Sequence, residues 1–173
     1  MKKLVLFTCA ILFLAGCGNK QKGGEATKAE DVNTFELSEL FANADNYIGK
    51  PVNVSGYVTH VCSHSGRKCF LEDENQKFSI RVEATDKIGS FDQELVGAEI
   101  KVSGILQETR LTEQQICDQE TMVEEQLQNE EITEESCEAS KANIAKMREW
   151  MENNGKDYYA VYFIDGESYN EIQ

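Results

Sequence analysis

The feature that most constrains this chain is an alternation of β-branched residues around single glycines, written twice. Val52, Val54 and Val58 alternate with polar neighbours around Gly56, and the run continues through Val61. Ile100, Val102 and Leu106 do the same around Gly104. A period of two selects a strand with one face in a core and the other in water, and a glycine inside such a strand marks a sharp bend. Between these strands, Cys69-Phe70-Leu71 reads as a second strand after a loop at residues 63–67, and Asp73-Glu74-Asn75 as a turn. In the third strand, Phe78, Ile80 and Val82 alternate with Ser79, Arg81 and Glu83. A helical piece near Phe91 to Leu95 precedes the fourth. Tyr158 to Ile164, ended by Asp165-Gly166, reads as a closing strand buried on both faces. Ahead of all of these, Leu37, Leu40, Phe41, Ala44 and Ile48 fall on one helical face that Gly49-Lys50-Pro51 stops.

Residues 112–155 change character, with helix formers throughout and many more acidic than basic side chains. They predict an inserted pair of helices. Thr112 and Gln115 form a capping-box pattern, and Ile116, Val123 and Leu127 lie on one stripe. Thr133 opens the second helix, Cys137, Ile144, Met147 and Met151 line its face, and Asn153-Asn154-Gly155 ends it. Trp150 and the methionines are expected to pack against the barrel or the other helix.

The chain starts with Met1-Lys2-Lys3 and an uncharged apolar run from Leu4 to Leu14, too short to span a bilayer as a helix. Leu14-Ala15-Gly16-Cys17 closes this run and resembles the bacterial lipobox. The resemblance implies a signal peptide over residues 1–16, cleavage before Cys17, and acyl chains, palmitate among them, on that cysteine. Several acyl chains on one residue hold a polar domain firmly to a membrane, at about 0.8 kcal/mol per buried methylene. Residues 17–34 then act as a tether, since Gly18 to Asn33 holds almost no apolar side chain to offset chain entropy. Gly18 lacks the Asp that resembles an inner-membrane retention signal. A bacterial membrane lipoprotein facing the periplasm is expected, with the outer membrane favoured.

The element order is strand, strand, strand, short helix, strand, helical insert, strand. Pro51-Val52-Asn53-Val54-Ser55-Gly56-Tyr57-Val58, Lys68-Cys69-Phe70-Leu71, Leu95-Val96-Gly97 and Ile100-Lys101-Val102-Ser103-Gly104-Ile105-Leu106 carry a resemblance to the bacterial OB-fold lipoproteins. These are grouped with the anticodon-binding-like, nucleic-acid-type OB family. The implied architecture is mainly β with α: a five-stranded OB-fold barrel over residues 35–173, with an N-terminal helix and the 112–155 helices inserted before the last strand. The resemblance bears on fold more than on function.

Charge opposes the family's nucleic-acid function. The whole chain carries −14, and removing Lys2 and Lys3 with the signal peptide lowers this further. Residues 36–111 hold 8 basic against 12 acidic side chains. Phosphate and anionic lipid both require the opposite sign, so nucleic acid is an unfavoured partner, supported by fold analogy alone. Phe70 and Phe78 are expected in the core rather than as stacking surfaces.

The chemical signal is the segment His60-Val61-Cys62-Ser63-His64-Ser65-Gly66-Arg67-Lys68-Cys69, which holds both histidines. His60, Cys62 and His64 share parity, and the hairpin returns Cys69 toward Cys62, so four N/S donors could converge. Such a set suits Zn²⁺, or Cu(I) in a cysteine-rich subset. A Cys62–Cys69 disulfide and two free thiols are the competing readings. Cys117 and Cys137 form a second candidate pair. A regular helical hairpin separates them by roughly 13 Å at 1.5 Å rise per residue, so pairing requires an irregular first helix. No nucleophile elbow or orienting carboxylate accompanies His60, His64, Ser63 or Ser65, so no catalytic activity is expected. The expected function is a lipid-anchored binding or scaffold module of the cell envelope. A metal- or redox-responsive lipoprotein is the alternative, and the acidic helices are either a solvated cover or a docking surface for another envelope protein.

Overall fold

The computed structural model describes residues 34–172. The expected signal peptide, Cys17 and most of the tether lie outside these residues. The elements are β1 (Thr34–Phe35), α1 (Leu37–Asn43), β2 (Pro51–Val61), β3 (Lys68–Glu72), β4 (Ser79–Ala84), β5 (Glu99–Thr112), α2 (Glu113–Gln128), α3 (Glu134–Asn154) and β6 (Tyr158–Glu171). Short 3-10 turns occupy Ala44–Asn46 and Gln93–Leu95.

The strands close on themselves in the order β2-β3-β4-β6-β5, because β2 pairs with both β3 and β5. The β4–β6 pairing is parallel and the other pairings around the barrel are antiparallel. This is an OB-fold barrel. β2 serves both neighbours by bending: Pro51 to Tyr57 pair with β5, and the stretch from Tyr57 to Val61 pairs with β3. Gly56 sits at the changeover, where a Cβ would lie 2.9 Å from the Glu72 carbonyl oxygen. The glycine is therefore required by close approach, as is Gly104, whose Cβ would come within 2.6 Å of Ile164.

The inward residues follow the period of two. Val52, Val54, Leu71, Val82, Ile100, Val102, Leu106 and Ile164 are each 0 % exposed. Leu37, Leu40 and Ala44, from α1 and the 3-10 turn after it, join the same core.

The structure corrects several expectations. The first helix ends at Asn43, whose side-chain amide donates back to the Glu39 carbonyl, and a 3-10 turn replaces its last turn. The helical piece before β5 is one 3-10 turn capped by Asp92, which accepts from the Glu94 N–H. Phe78 precedes β4 rather than starting it, because Asp73 accepts from the backbone N–H groups of Lys77 and Phe78, both at 2.7 Å. β6 runs seven residues past Ile164, through Gly166, to Glu171. Only one of its faces is buried, since Val161, Phe163 and Asp165 are half-exposed on the other.

β5 and β6 run on beyond the barrel as a two-stranded ribbon, paired out to Thr112 and Tyr158, and the helical hairpin sits on its end. The capping box of Thr112 and Gln115 is formed, Thr133 caps α3, and Gly155 takes the left-handed conformation at the end of α3 with φ of 60°. Ile116, Ile144 and Met151 form a small core of their own, with Leu111, Met147, Trp150 and Tyr159 packed against it.

Candidate functional site

The outer face of the barrel carries one row of side chains that crosses four strands. His60 on β2 is opposite Phe70 on β3, Phe70 is opposite Arg81 on β4, and Arg81 is opposite Phe163 on β6. Gln107 of β5 continues the row beside Phe163. Register alone brings these residues together, since each is the outward member of an alternating strand.

A bulge places the first of them. β2 slips against β3 between Val58 and His60, so Thr59 is the extra residue, and both Thr59 and His60 face solvent. The His60 and Phe70 rings lie 6.0 Å apart, tilted by 48°. The Arg81 guanidinium stands 4.9 Å from the centre of the Phe163 ring, within cation–π range. Its Nε is 2.9 Å from Glu83 Oε1, and Lys68 Nζ is 3.6 Å from the same oxygen. The Arg81 Nε is buried and, although Glu83 is near, has no hydrogen-bond partner among the described residues, so the contact is an ion pair without an aligned hydrogen bond. Asp165 accepts from Gln107 Nε2 at 2.8 Å. The arrangement offers two half-exposed aromatic faces flanking a guanidinium.

Phe70 is thus an outward residue, not a core one, and the core expectation for it is corrected. Its parity with Lys68 and Glu72 is the signal that could have found it, because both flanking charges need solvent. Phe78 does pack inward: it is half-buried against the barrel core and stacks on Phe41 at 5.6 Å.

The His/Cys cluster does not converge. His60 is exposed on the outer face, whereas Cys69 is 0 % exposed inside the barrel. β2 ends at Val61, and the chain turns over Cys62 to Gly66, where the Gly66 N–H donates to the Cys62 carbonyl at 2.8 Å. That turn ends the shared parity on which convergence depended. His64 is exposed beside Ser63, with Ser63 Oγ 3.4 Å from its Nδ1. Among the described residues no group of three or more His, Cys, Asp or Glu side chains could hold a metal ion.

All four described cysteines are free. Cys69 is buried opposite Val61, whereas Cys62 lies past the end of β2 and is half-exposed. Burial pushes the Cys69 thiol up to about 12. The Cys62 thiol is held below its ordinary value by the Ser65 hydroxyl, 3.6 Å from its sulfur, and by backbone N–H groups of Ser65 and His64. α2 is unbroken from Glu113 to Gln128, so the irregular first helix needed for a Cys117–Cys137 bond is absent. Cys117 is exposed and Cys137 buried.

A second polar cluster fastens the hairpin to the barrel. Asp45 Oδ1 accepts from Lys156 Nζ and from the Tyr162 hydroxyl, both at 2.7 Å. These two hydrogen bonds, the lysine's first, hold the Asp45 carboxyl below its ordinary range. Burial, then the Asp45 contact, pushes the Tyr162 hydroxyl up to about 12. Lys156 also lies over the rings of Trp150 and Tyr158, at 5.2 and 5.3 Å. Sequence reasoning missed this cluster, in which Asp45 lies more than a hundred residues from Lys156 and Tyr162 in the chain.

No family model matches the chain, and no curated protein matches it by sequence. Solved structures similar to it include an aspartyl tRNA synthetase from Entamoeba histolytica, at 11% identity and a TM-score of 0.42, over 92% of this chain and 28% of that one. A chain assigned as an aspartyl-tRNA synthetase from Leishmania major Friedlin is similar at 11% identity and a TM-score of 0.40, over 86% of this chain and 22% of that one. The chain spans about a quarter of the length of these structures.

Proposed function

We propose that this chain is a non-catalytic binding module of the bacterial cell envelope, anchored by lipid on Cys17, whose ligand lies across the outer row of His60, Phe70, Arg81 and Phe163. The ligand class that fits is a chain of neutral rings, such as an oligosaccharide. Ring faces pack on Phe70 and Phe163, and the Arg81 Nη groups donate to hydroxyl oxygens between them. The observation that carries this reading is the Phe–Arg–Phe row on the outer face of the barrel. Neutrality of the ligand follows from charge. Glu83 already faces both Lys68 and Arg81, and Glu72 and Asp165 flank the row.

Single-stranded nucleic acid is the second reading, favoured by the same two aromatic faces, on which bases stack at about 1–3 kcal/mol each. Calorimetry with neutral oligosaccharides and with oligothymidylate separates the two. For the first, binding is insensitive to salt and falls about ten-fold or more in Phe70→Ala and Phe163→Ala, with melting unchanged. Oligothymidylate binding that weakens steeply as salt rises gives the face to nucleic acid instead. Loss of neither ligand in either variant removes the row from the proposal. A hydrolase or transferase activity abolished by changing His60 or His64 defeats the non-catalytic reading. Acyl-chain labelling that survives Cys17→Ser defeats the anchor.

A further inference from the structure

The helical hairpin leaves a groove open whose lining is half apolar and half uncharged polar. On α2, Met122 and Val123 alternate with Gln119 and Gln126 at the spacing of one helical stripe, and a matching stripe on α3 includes Ser140, Ile144 and Met147. The two stripes line a common open groove of about 450 Å³, at whose edge Met122 is 51 % exposed. Two helices with such stripes present the geometry of a three-helix bundle that lacks its third member.

Charge selects the occupant. Residues 112–155 hold 12 acidic and 3 basic side chains. The three basic ones are outnumbered, and two of them, Lys141 and Arg148, are spent on Glu124, Glu113 and Glu120. Toward the tip, Glu125, Glu130, Glu131, Glu134, Glu135 and Glu138 have no ion-pair partner among the described residues. A second copy of this chain brings the same negative field and is repelled, as is an anionic lipid surface. The chain's own residues 18–33 offer only Ala26, Ala29 and Val32 as apolar side chains and cannot fill the groove.

We propose that the groove docks a cationic amphipathic helix of another protein, with aliphatic side chains seated between Met122 and Met147 and Lys or Arg side chains over the glutamate-rich tip. The test is fluorescence anisotropy of the full chain with three synthetic helical peptides of equal length, built from Leu/Lys, Ser/Lys and Leu/Glu. The Leu/Lys peptide binds, the Ser/Lys peptide binds at least ten-fold more weakly, and the Leu/Glu peptide does not bind. Met122→Ser, which trims an exposed side chain, and Ser140→Trp, which fills the groove, each weaken Leu/Lys binding at least five-fold with helix content preserved by circular dichroism. Phe70→Ala leaves peptide binding unchanged, so this surface and the barrel face fail or stand separately. Equal affinity for Ser/Lys and Leu/Lys overturns the proposal, as does indifference to both groove variants. Self-association of the chain that Met122→Ser abolishes also overturns it, and gives the groove to a second copy.

Discussion

The barrel and the helical hairpin bury apolar surface by different means. In the barrel every strand sends alternate side chains to one shared centre, and closure gives each of them neighbours on all sides. In the hairpin two amphipathic helices share one short seam. Ile116, Ile144 and Met151 are its buried core, and Trp150 meets Tyr159 edge-on at 5.3 Å across the junction with β6. A closed sheet carries its own core, whereas a helical pair of this length depends on what it leans against.

The largest test of that contrast is truncation of each core. Leu71→Ala should cost about 2–5 kcal/mol in denaturant unfolding and abolish both units together. Ile144→Ala should fall at the lower end of that range, because Ile144 already borders the open groove, and should leave amide protection of β2 to β5 intact. Equal loss of barrel protection in the two variants breaks the contrast.

The junction between the units is the next target. Asp45→Asn removes the charge that Lys156 and Tyr162 address, at an expected cost of about 0.5–1.5 kcal/mol, kept small by the exposure of Asp45. The two groups also give opposite pH limits. Tyr162 has a raised folded value, so its contribution is complete below its ordinary value of 10.0 and is lost as pH rises through about 12. Asp45 has a lowered folded value, so its contribution is present above its ordinary value of 3.8 and is lost as pH falls below that. Tyr162→Phe should lessen the alkaline loss, read as a shallower fall of the melting temperature between about pH 10 and 12 than in the parent chain. An unchanged alkaline profile in that variant assigns the loss elsewhere.

The smallest effect concerns the two thiols of the first hairpin. Cys62, with its lowered titration and partial exposure, should react with iodoacetamide at neutral pH in the folded chain. Cys69 should react only after unfolding. Simultaneous labelling of both would mean that the barrel opens as readily as its surface turn.

Much of the barrel was legible in the sequence because alternation is a local signal. Val52, Ile80 and Val102 were expected inside and are at most 1 % exposed. The helical pair was legible from its caps, which act within one turn. Phe70 was misplaced because Cys69-Phe70-Leu71 is apolar at every position, so hydrophobicity alone leaves the inward set undecided. The bulge at Thr59 is set by the partner strand, and no residue near it announces the slip. The row on the outer face is invisible for a deeper reason: His60, Phe70, Arg81 and Phe163 become neighbours only through register across four strands. His60, Cys62, His64 and Cys69 do not converge for the converse reason: nearness in sequence does not bring side chains together when the strand ends at Val61 and the chain turns.

Thr112 and Tyr158 stand opposite each other at the end of the ribbon, where the chain departs into α2 and comes back from α3. Its exit and return are therefore one address on the barrel. A tight turn joining those two positions would restore an uninterrupted β-hairpin at the loss of the Lys156–Asp45 clasp and the Trp150 contact, and would leave the strand pairings of the barrel in place, which makes the intervening helices a detachable cassette. Different cassettes could be exchanged at that address while the ligand face on the barrel stays as it is.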